Sequence, residues 1–127
     1  MHTSLASSQA AAGTVYSVWQ SRNTSSAPCS SYGYPGMDFL SPGGWLGVHV
    51  IRGSLPGVSG SPHRIVVPSG RYLYFESSWG EVTPCRSFYA LKITLPNNYT
   101  SAVIGEGGCV VPDDVSVSFV TRTRPSQ

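Results

Sequence analysis

Six carboxylates, three histidines and three cysteines are the side chains of this 127-residue sequence from which acid–base, metal or nucleophilic chemistry could be assembled. The carboxylates are Asp38, Glu76, Glu81, Glu106, Asp113 and Asp114. Glu76 and Glu81 flank Trp79, a pattern that suggests a carboxylate pair around an aromatic sugar platform. Glycoside hydrolysis needs two carboxyls about 5–9.5 Å apart across a cleft, and one short segment rarely supplies both. The pair therefore reads as solvated loop acids, and Asp113-Asp114 as turn chemistry ahead of a strand. His2, His49 and His63 offer no third ligand to complete a metal site. Gly105-Glu106-Gly107-Gly108 lacks the Lys-Ser/Thr end of a phosphate loop and reads as a turn. No Gly-x-Ser-x-Gly nucleophile elbow is present. These residues predict no catalytic group, no cofactor and no metal, and hence a protein that is not an enzyme.

The cysteines, Cys29, Cys85 and Cys109, are odd in number, which excludes a fully paired intrachain framework. Three buried thiols, one intrachain bridge with a free thiol, or an intermolecular bridge all remain open. The sequons Asn23-Thr24-Ser25 and Asn98-Tyr99-Thr100 read as chance matches. Met1–Gly13 has neither a basic start nor a long apolar run, so no targeting segment is expected. No stretch approaches the roughly 18 apolar residues of a membrane helix.

Charged residues make up 11% of the chain, well under the usual proportion of about 25%. The net charge is only +2, and Lys92 is the one lysine beside seven arginines. Interfaces favour Arg over Lys, and a sparsely charged surface suits a protein covered by other subunits. Arg52, Arg64, Arg71 and Arg86 with Tyr72 and Tyr74 could line one patch, to which Arg122 and Arg124 add a basic tail. Without lysine clusters this reads as protein contact in preference to nucleic-acid binding.

The elements that must position these groups are strands. Thr14–Gln20 is β-branched and aromatic, and Trp45–Arg52 is apolar on both faces, predicting a strand covered on each side. His63–Val67 and Arg71–Ser77 flank a Pro68-Ser69-Gly70 turn. Phe88–Leu95 alternates, with Tyr89, Leu91, Ile93 and Leu95 on one face, and short runs follow at 102–104, 109–111 and 115–122. Ser21–Gly44 reads as a long loop interrupted near Met37–Leu40, and Ser78–Cys85 as a second loop. Met1–Gly13 is Ser/Ala-rich, too weak for a helix, and reads as an extended N-terminal arm before one domain spanning 14–127. About eight short strands with turns between them predict an all-β fold, a single compact antiparallel sandwich of jelly-roll type.

The run Ile65-Val66-Val67-Pro68-Ser69-Gly70-Arg71-Tyr72-Leu73-Tyr74-Phe75 resembles a signature of trimeric jelly rolls of the complement-C1q/tumour-necrosis-factor type. There an apolar strand, a Pro-x-x-Gly turn and a Tyr-x-Phe strand follow one another. Here the turn is one residue shorter, and Ile65 stands where an aromatic is usual. Similar domains form phage fibre heads and capsid decorations. The resemblance implies a homotrimer with aromatic strands near the threefold axis.

The expected function is a non-enzymatic structural or assembly subunit acting through protein–protein contacts. A virion decoration, fibre or capsid-associated protein fits best, and an extracellular, lectin-like carbohydrate-binding module is the alternative. The expected partners are other protein subunits, beginning with further copies of the chain, or a glycan; no membrane is expected. The contact surface is predicted on Tyr32, Tyr34, Trp79, Glu81, Tyr99, Arg122 and Arg124.

Overall fold

Side chains that alternate along strands build two facing sheets in the computed structural model, which describes residues 1–96 and 101–127. The larger sheet has the order β1 (His2–Ala11), β2 (Thr14–Arg22), β8 (Tyr72–Gly80), β13 (Val115–Val117) and β6 (Val50–Arg52). Its neighbours are antiparallel except β13 and β6, which run parallel. The second sheet is β11 (Ser101–Ile104), β10 (Ala90–Thr94), β4 (Gly36–Ser41) and β5 (Gly44–Trp45). Two small ladders close the ends: β12 (Gly108–Val110) with β9 (Arg86–Phe88), and β3 (Cys29–Ser31) with β7 (Ile65–Val67). The chain is thus an all-β sandwich, and no helix long and apolar enough to cross a membrane occurs among the described residues.

The core lies between the sheets. From the larger sheet Trp19, Leu73, Phe75, Trp79, Val115 and Val117 point inward, and Met37, Phe39, Leu91 and Ile93 meet them from the other. Phe39 packs edge-on against Trp79 at 5.3 Å and against Phe88 at 4.9 Å between ring centroids. Trp19 stacks on Phe75 and donates its indole N–H to Ser77 Oγ at 2.8 Å, so the buried ring leaves no donor unpaired.

Several elements differ from the sequence expectation, each for a physical reason. Met1–Gly13 is extended but is not a free arm. It forms edge strand β1, joined to β2 by a two-residue turn at Ala12 and Gly13 with φ of 52° and 79°. Ladder hydrogen bonds to β2 supply what its Ser/Ala side chains lack in propensity. Trp45–Arg52 is not one strand covered on both faces. The Asp38 carboxylate accepts the N–H groups of Gly47 at 2.9 Å and Val48 at 3.2 Å, and Gly47 sits at φ +68°. That bend sends β5 into one sheet and β6 into the other, leaving Trp45 41% and Ile51 46% exposed. Tyr89 leaves the face of Leu91 and Ile93, because Tyr89 donates its N–H to the Leu40 carbonyl while Ala90 also stands opposite Leu40. Two residues against one is a β-bulge, and it turns Tyr89 outward, 57% exposed. The Pro68–Gly70 turn forms as expected, with Arg71 N–H bonded to the Pro68 carbonyl at 3.1 Å. The strands it joins, β7 and β8, belong to different ladders.

Of the open cysteine pairings the structure has one: Cys85 is bonded to Cys109, and Cys29 is free. The bridge has a sequence separation of 24 and ties the residue just before β9 to the middle of β12. Closing a loop of that size contributes about 3 kcal/mol through the unfolded chain. The double variant Cys85→Ser/Cys109→Ser should lose roughly that amount in denaturant unfolding, and a loss below about 1 kcal/mol would show the bridge to be dispensable.

Glu76 is not the solvated loop acid expected. It lies within β8, is 1% exposed, and faces away from the core beside Val18, under the Pro56–Val58 turn and the C-terminal residues. Gly57 donates its N–H to the carboxylate at 3.3 Å. A Cβ at Gly57 would stand 2.5 Å from Glu76 Oε2 and 2.8 Å from Pro125, so the approach needs glycine. Burial pushes the Glu76 carboxyl above its ordinary 4.5, and the Gly57 N–H offsets part of that rise. The folded chain therefore binds this proton more tightly than the unfolded chain. Its stabilisation is complete below pH 4.5 and is lost as pH climbs through the raised value. Glu76→Gln should melt higher than the parent at pH 7, and the gap should shrink at pH 4. A gap that does not change with pH would rule out titration of Glu76 as its cause.

Candidate functional site

Asn23 organises the start of the long Ser21–Gly44 segment. Its side-chain amide donates to the carbonyls of Ala27 at 2.8 Å and Val67 at 2.9 Å, and its Oδ1 accepts from Ser25. Its backbone pairs with Gly70 and Arg71. Both amide hydrogens are engaged and the residue is buried, so the Asn23 sequon is turn architecture and its nitrogen faces no solvent. The second sequon, at Asn98, lies outside the described residues.

Beyond this turn, β3 pairs with β7 and carries two arginines alongside it. Arg64 donates to Ser30 Oγ at 3.3 Å and Arg122 to the Val66 carbonyl at 2.8 Å. Tyr32, 52% exposed, follows β3 directly. The Gly33 carbonyl accepts the Val120 N–H at 2.9 Å, which ties this segment to the C-terminal one. Tyr34 then packs edge-on against buried Phe119 at 6.2 Å, while His63 meets the same ring at 6.0 Å. The Arg52 guanidinium sits 5.8 Å from the Tyr34 centroid, a cation–π distance.

The cationic surface continues onto β8. Thr121 exchanges both backbone hydrogen bonds with Tyr74 at 2.8 Å, and Tyr74 stacks on Tyr72 at 6.1 Å. Arg22 stands opposite Tyr72 and donates to the Gly70 carbonyl at 3.4 Å. Arg22, Arg52, Arg64, Arg71 and Arg122 thus share one half of the sandwich with Tyr32, Tyr34, Tyr72 and Tyr74. The carboxylates lie elsewhere. Asp38 is taken up by Gly47 and Val48, Glu76 is buried, and Glu81, Asp113 and Asp114 cluster about the far end of β8 at Gly80.

Three of the seven predicted contact residues, Tyr32, Tyr34 and Arg122, therefore meet on one face. Arg124 donates to the Ala6 carbonyl of β1 at 3.4 Å and lines a cleft with His63 and Phe119. Arg86 leaves the expected arginine patch, since it lies on β9 opposite Val110. Trp79 is not a surface aromatic: it is 6% exposed and belongs to the core. The strand expected to stop at Ser77 continues to Gly80, because Ser78 and Trp79 pair with Tyr16 and Val15 on one side and with Ser116 and Val115 on the other. Glu81 is exposed at the far end, where its N–H bonds the Gly13 carbonyl at 2.8 Å. Tyr99 lies outside the described residues. Phe119, which anchors Tyr34, was not singled out by the sequence, where it looks like any inward strand residue.

Chemically, this face offers guanidinium donors and phenol rings, with His63 and the free Cys29 thiol beside them. Among the described residues, no group of three or more His, Cys, Asp or Glu is placed to hold a metal ion. Arg and Tyr are the residues that dominate protein interfaces: the guanidinium fork reads carboxylates and carbonyls, and Tyr brings rigid area with a polar tip. No curated protein and no solved structure matches the chain. Residues 2–122 match the family described as "Domain of unknown function (DUF4232)", and the chain belongs to that family.

Proposed function

We propose that this chain is a non-enzymatic contact module that binds other protein subunits through its arginine–tyrosine face, outside the reducing cytoplasm. The observation that carries the reading is the placing of Arg64 and Arg122 on the β3–β7 ladder that exposed Tyr32 follows, with Arg52 over the Tyr34 ring close by. Each of these guanidiniums makes few contacts within the chain and keeps donors for a partner. The Cys85–Cys109 bridge supports an oxidising compartment, as for a secreted protein or a virion surface. The first partner to test is a second copy of the chain, and the jelly-roll resemblance adds a trimer as the specific expectation. Light scattering across a concentration series should show association. Replacing Tyr32, Arg64 and Arg122 together by Ala should weaken it at least tenfold, about 1.4 kcal/mol. A parent chain that stays monomeric at every concentration would remove self-assembly.

A glycan reading has one specific observation in its favour, and it is not Trp79. Trp45 and Tyr89 are both exposed and flank Leu40 from opposite sides, on β5 and at the bulge before β10. Two strand spacings place their backbones about 10 Å apart. Lys92 lies 4.6 Å from the Trp45 ring centroid and holds it in place. If this face stacks on sugars, a glycan array should give hits that Trp45→Ala abolishes and Tyr32→Ala leaves intact.

A further inference from the structure

At the end of the sandwich opposite the arginines, a cavity of about 130 Å³ opens between the two sheets. Its inner walls are Trp19, Trp79, Phe88, Leu5 and Leu91. Some of the polar atoms along the cavity are already paired. The Trp19 indole N–H bonds Ser77, and the Ser17 and Ser8 hydroxyls bond each other at 3.0 Å. Leu5, Val15, Trp19, Trp79, Phe88 and Leu91 nonetheless give the inside a largely aromatic and aliphatic wall. The ionisable groups that line it, Glu81 and Glu106, are both exposed and so stand at its mouth.

Two separate segments bring these glutamates to one cavity, and the disulfide ties both segments. Glu81 lies four residues before Cys85, whose sulfur is 3.6 Å from the Glu81 carbonyl. Glu106 lies in the Gly105–Gly108 run just before Cys109, and its N–H bonds the Ile104 carbonyl at 3.0 Å. A Cβ at Gly108 would come within 3.2 Å of the Phe88 ring, so the glycine lets this segment lie close along the wall. Asp113 and Asp114 add negative charge at the same end, and Arg86 on β9 is the cation nearest in the fold to the bridge.

We propose that this cavity binds a small primary alkylammonium ion, with its chain among Trp19, Trp79 and Phe88 and its ammonium at Glu81 and Glu106. The volume is close to that of a protein cavity of about 150 Å³ that stays dry and takes up benzene, so a chain of about five carbons fits. Aromatic walls and two carboxylates favour a cation over a neutral or anionic group of the same shape. This site is separate from the arginine–tyrosine face and stands or falls without it.

The test uses three probes of one length, pentylammonium, pentanol and pentanoate, titrated at pH 7 against tryptophan fluorescence and by calorimetry. Pentylammonium should bind saturably and at least tenfold more tightly than pentanol, and pentanoate should not bind. In Glu81→Gln/Glu106→Gln the ammonium preference should fall about tenfold while pentanol affinity stays unchanged, which also shows that the cavity is intact. Pentylammonium binding no better than pentanol to the parent chain, or an ammonium preference that survives in the variant, would overturn the proposal.

Discussion

The contact of Phe39 with Trp79 and Phe88 fixes how the two sheets meet, and much else follows from it. Phe39 lies on β4 and Trp79 on β8, so their edge-to-face packing at 5.3 Å joins the middle of one sheet to the central strand of the other. Phe88 meets both rings and carries the constraint out to the disulfide-closed end. Aromatic pairs of this geometry contribute roughly 0.5–1.5 kcal/mol each beyond burial. Geometry matters more here than energy. Three rings that interlock admit one separation and one register, and β8 is held in that register on both sides by β2 and β13.

With the middle fixed, the ends of the sandwich are free to differ. Arginines and tyrosines collect where β8 begins, acidic residues where it ends at Gly80. A chain with few charges can thus present two ends of opposite character while its net charge stays at +2. The two carboxylates between the ends are both taken up inside the chain: Asp38 by the Gly47 and Val48 N–H groups, and Glu76 by burial beneath Gly57.

How much of this was legible depends on whether a residue's fate was set locally. The strand at Thr14 and those near Leu91 and Val115 could be read because alternation alone specifies their buried faces. The break in Trp45–Arg52 could not be read, since it comes from Asp38, nine residues before Gly47, reaching two backbone N–H groups. The strand expected over Arg71–Ser77 ends three residues early, because nothing nearby in sequence reveals that Ser78 and Trp79 pair with Tyr16 and Val15 about 60 residues earlier. Starting the loop at Ser78 puts Trp79 on it, and the reading of Trp79 as a surface aromatic follows from that. Tyr89 was lost to a bulge, which shifts alternation by one and leaves no compositional mark. Tyr32 and Arg122 are exposed as their turn-rich segments suggest, whereas Tyr34 is half-buried against Phe119, a contact that sequence does not reveal.

The small ladders at the two ends explain why those ends needed staples. Strands of three residues, such as β9, β12, β3 and β7, do not hold together in water by themselves. At the acidic end the Cys85–Cys109 bond supplies the missing constraint. At the arginine end Asn23 does so, with side-chain hydrogen bonds that span from Ala27 to Val67. Each staple lies beside the surface proposed to bind. A short ladder costs little backbone commitment and leaves side chains free to face a partner, while the staple keeps them in a fixed geometry. The sandwich core therefore sets the spacing of the ends, and the staples, more than the strands, set the shape of what each end presents.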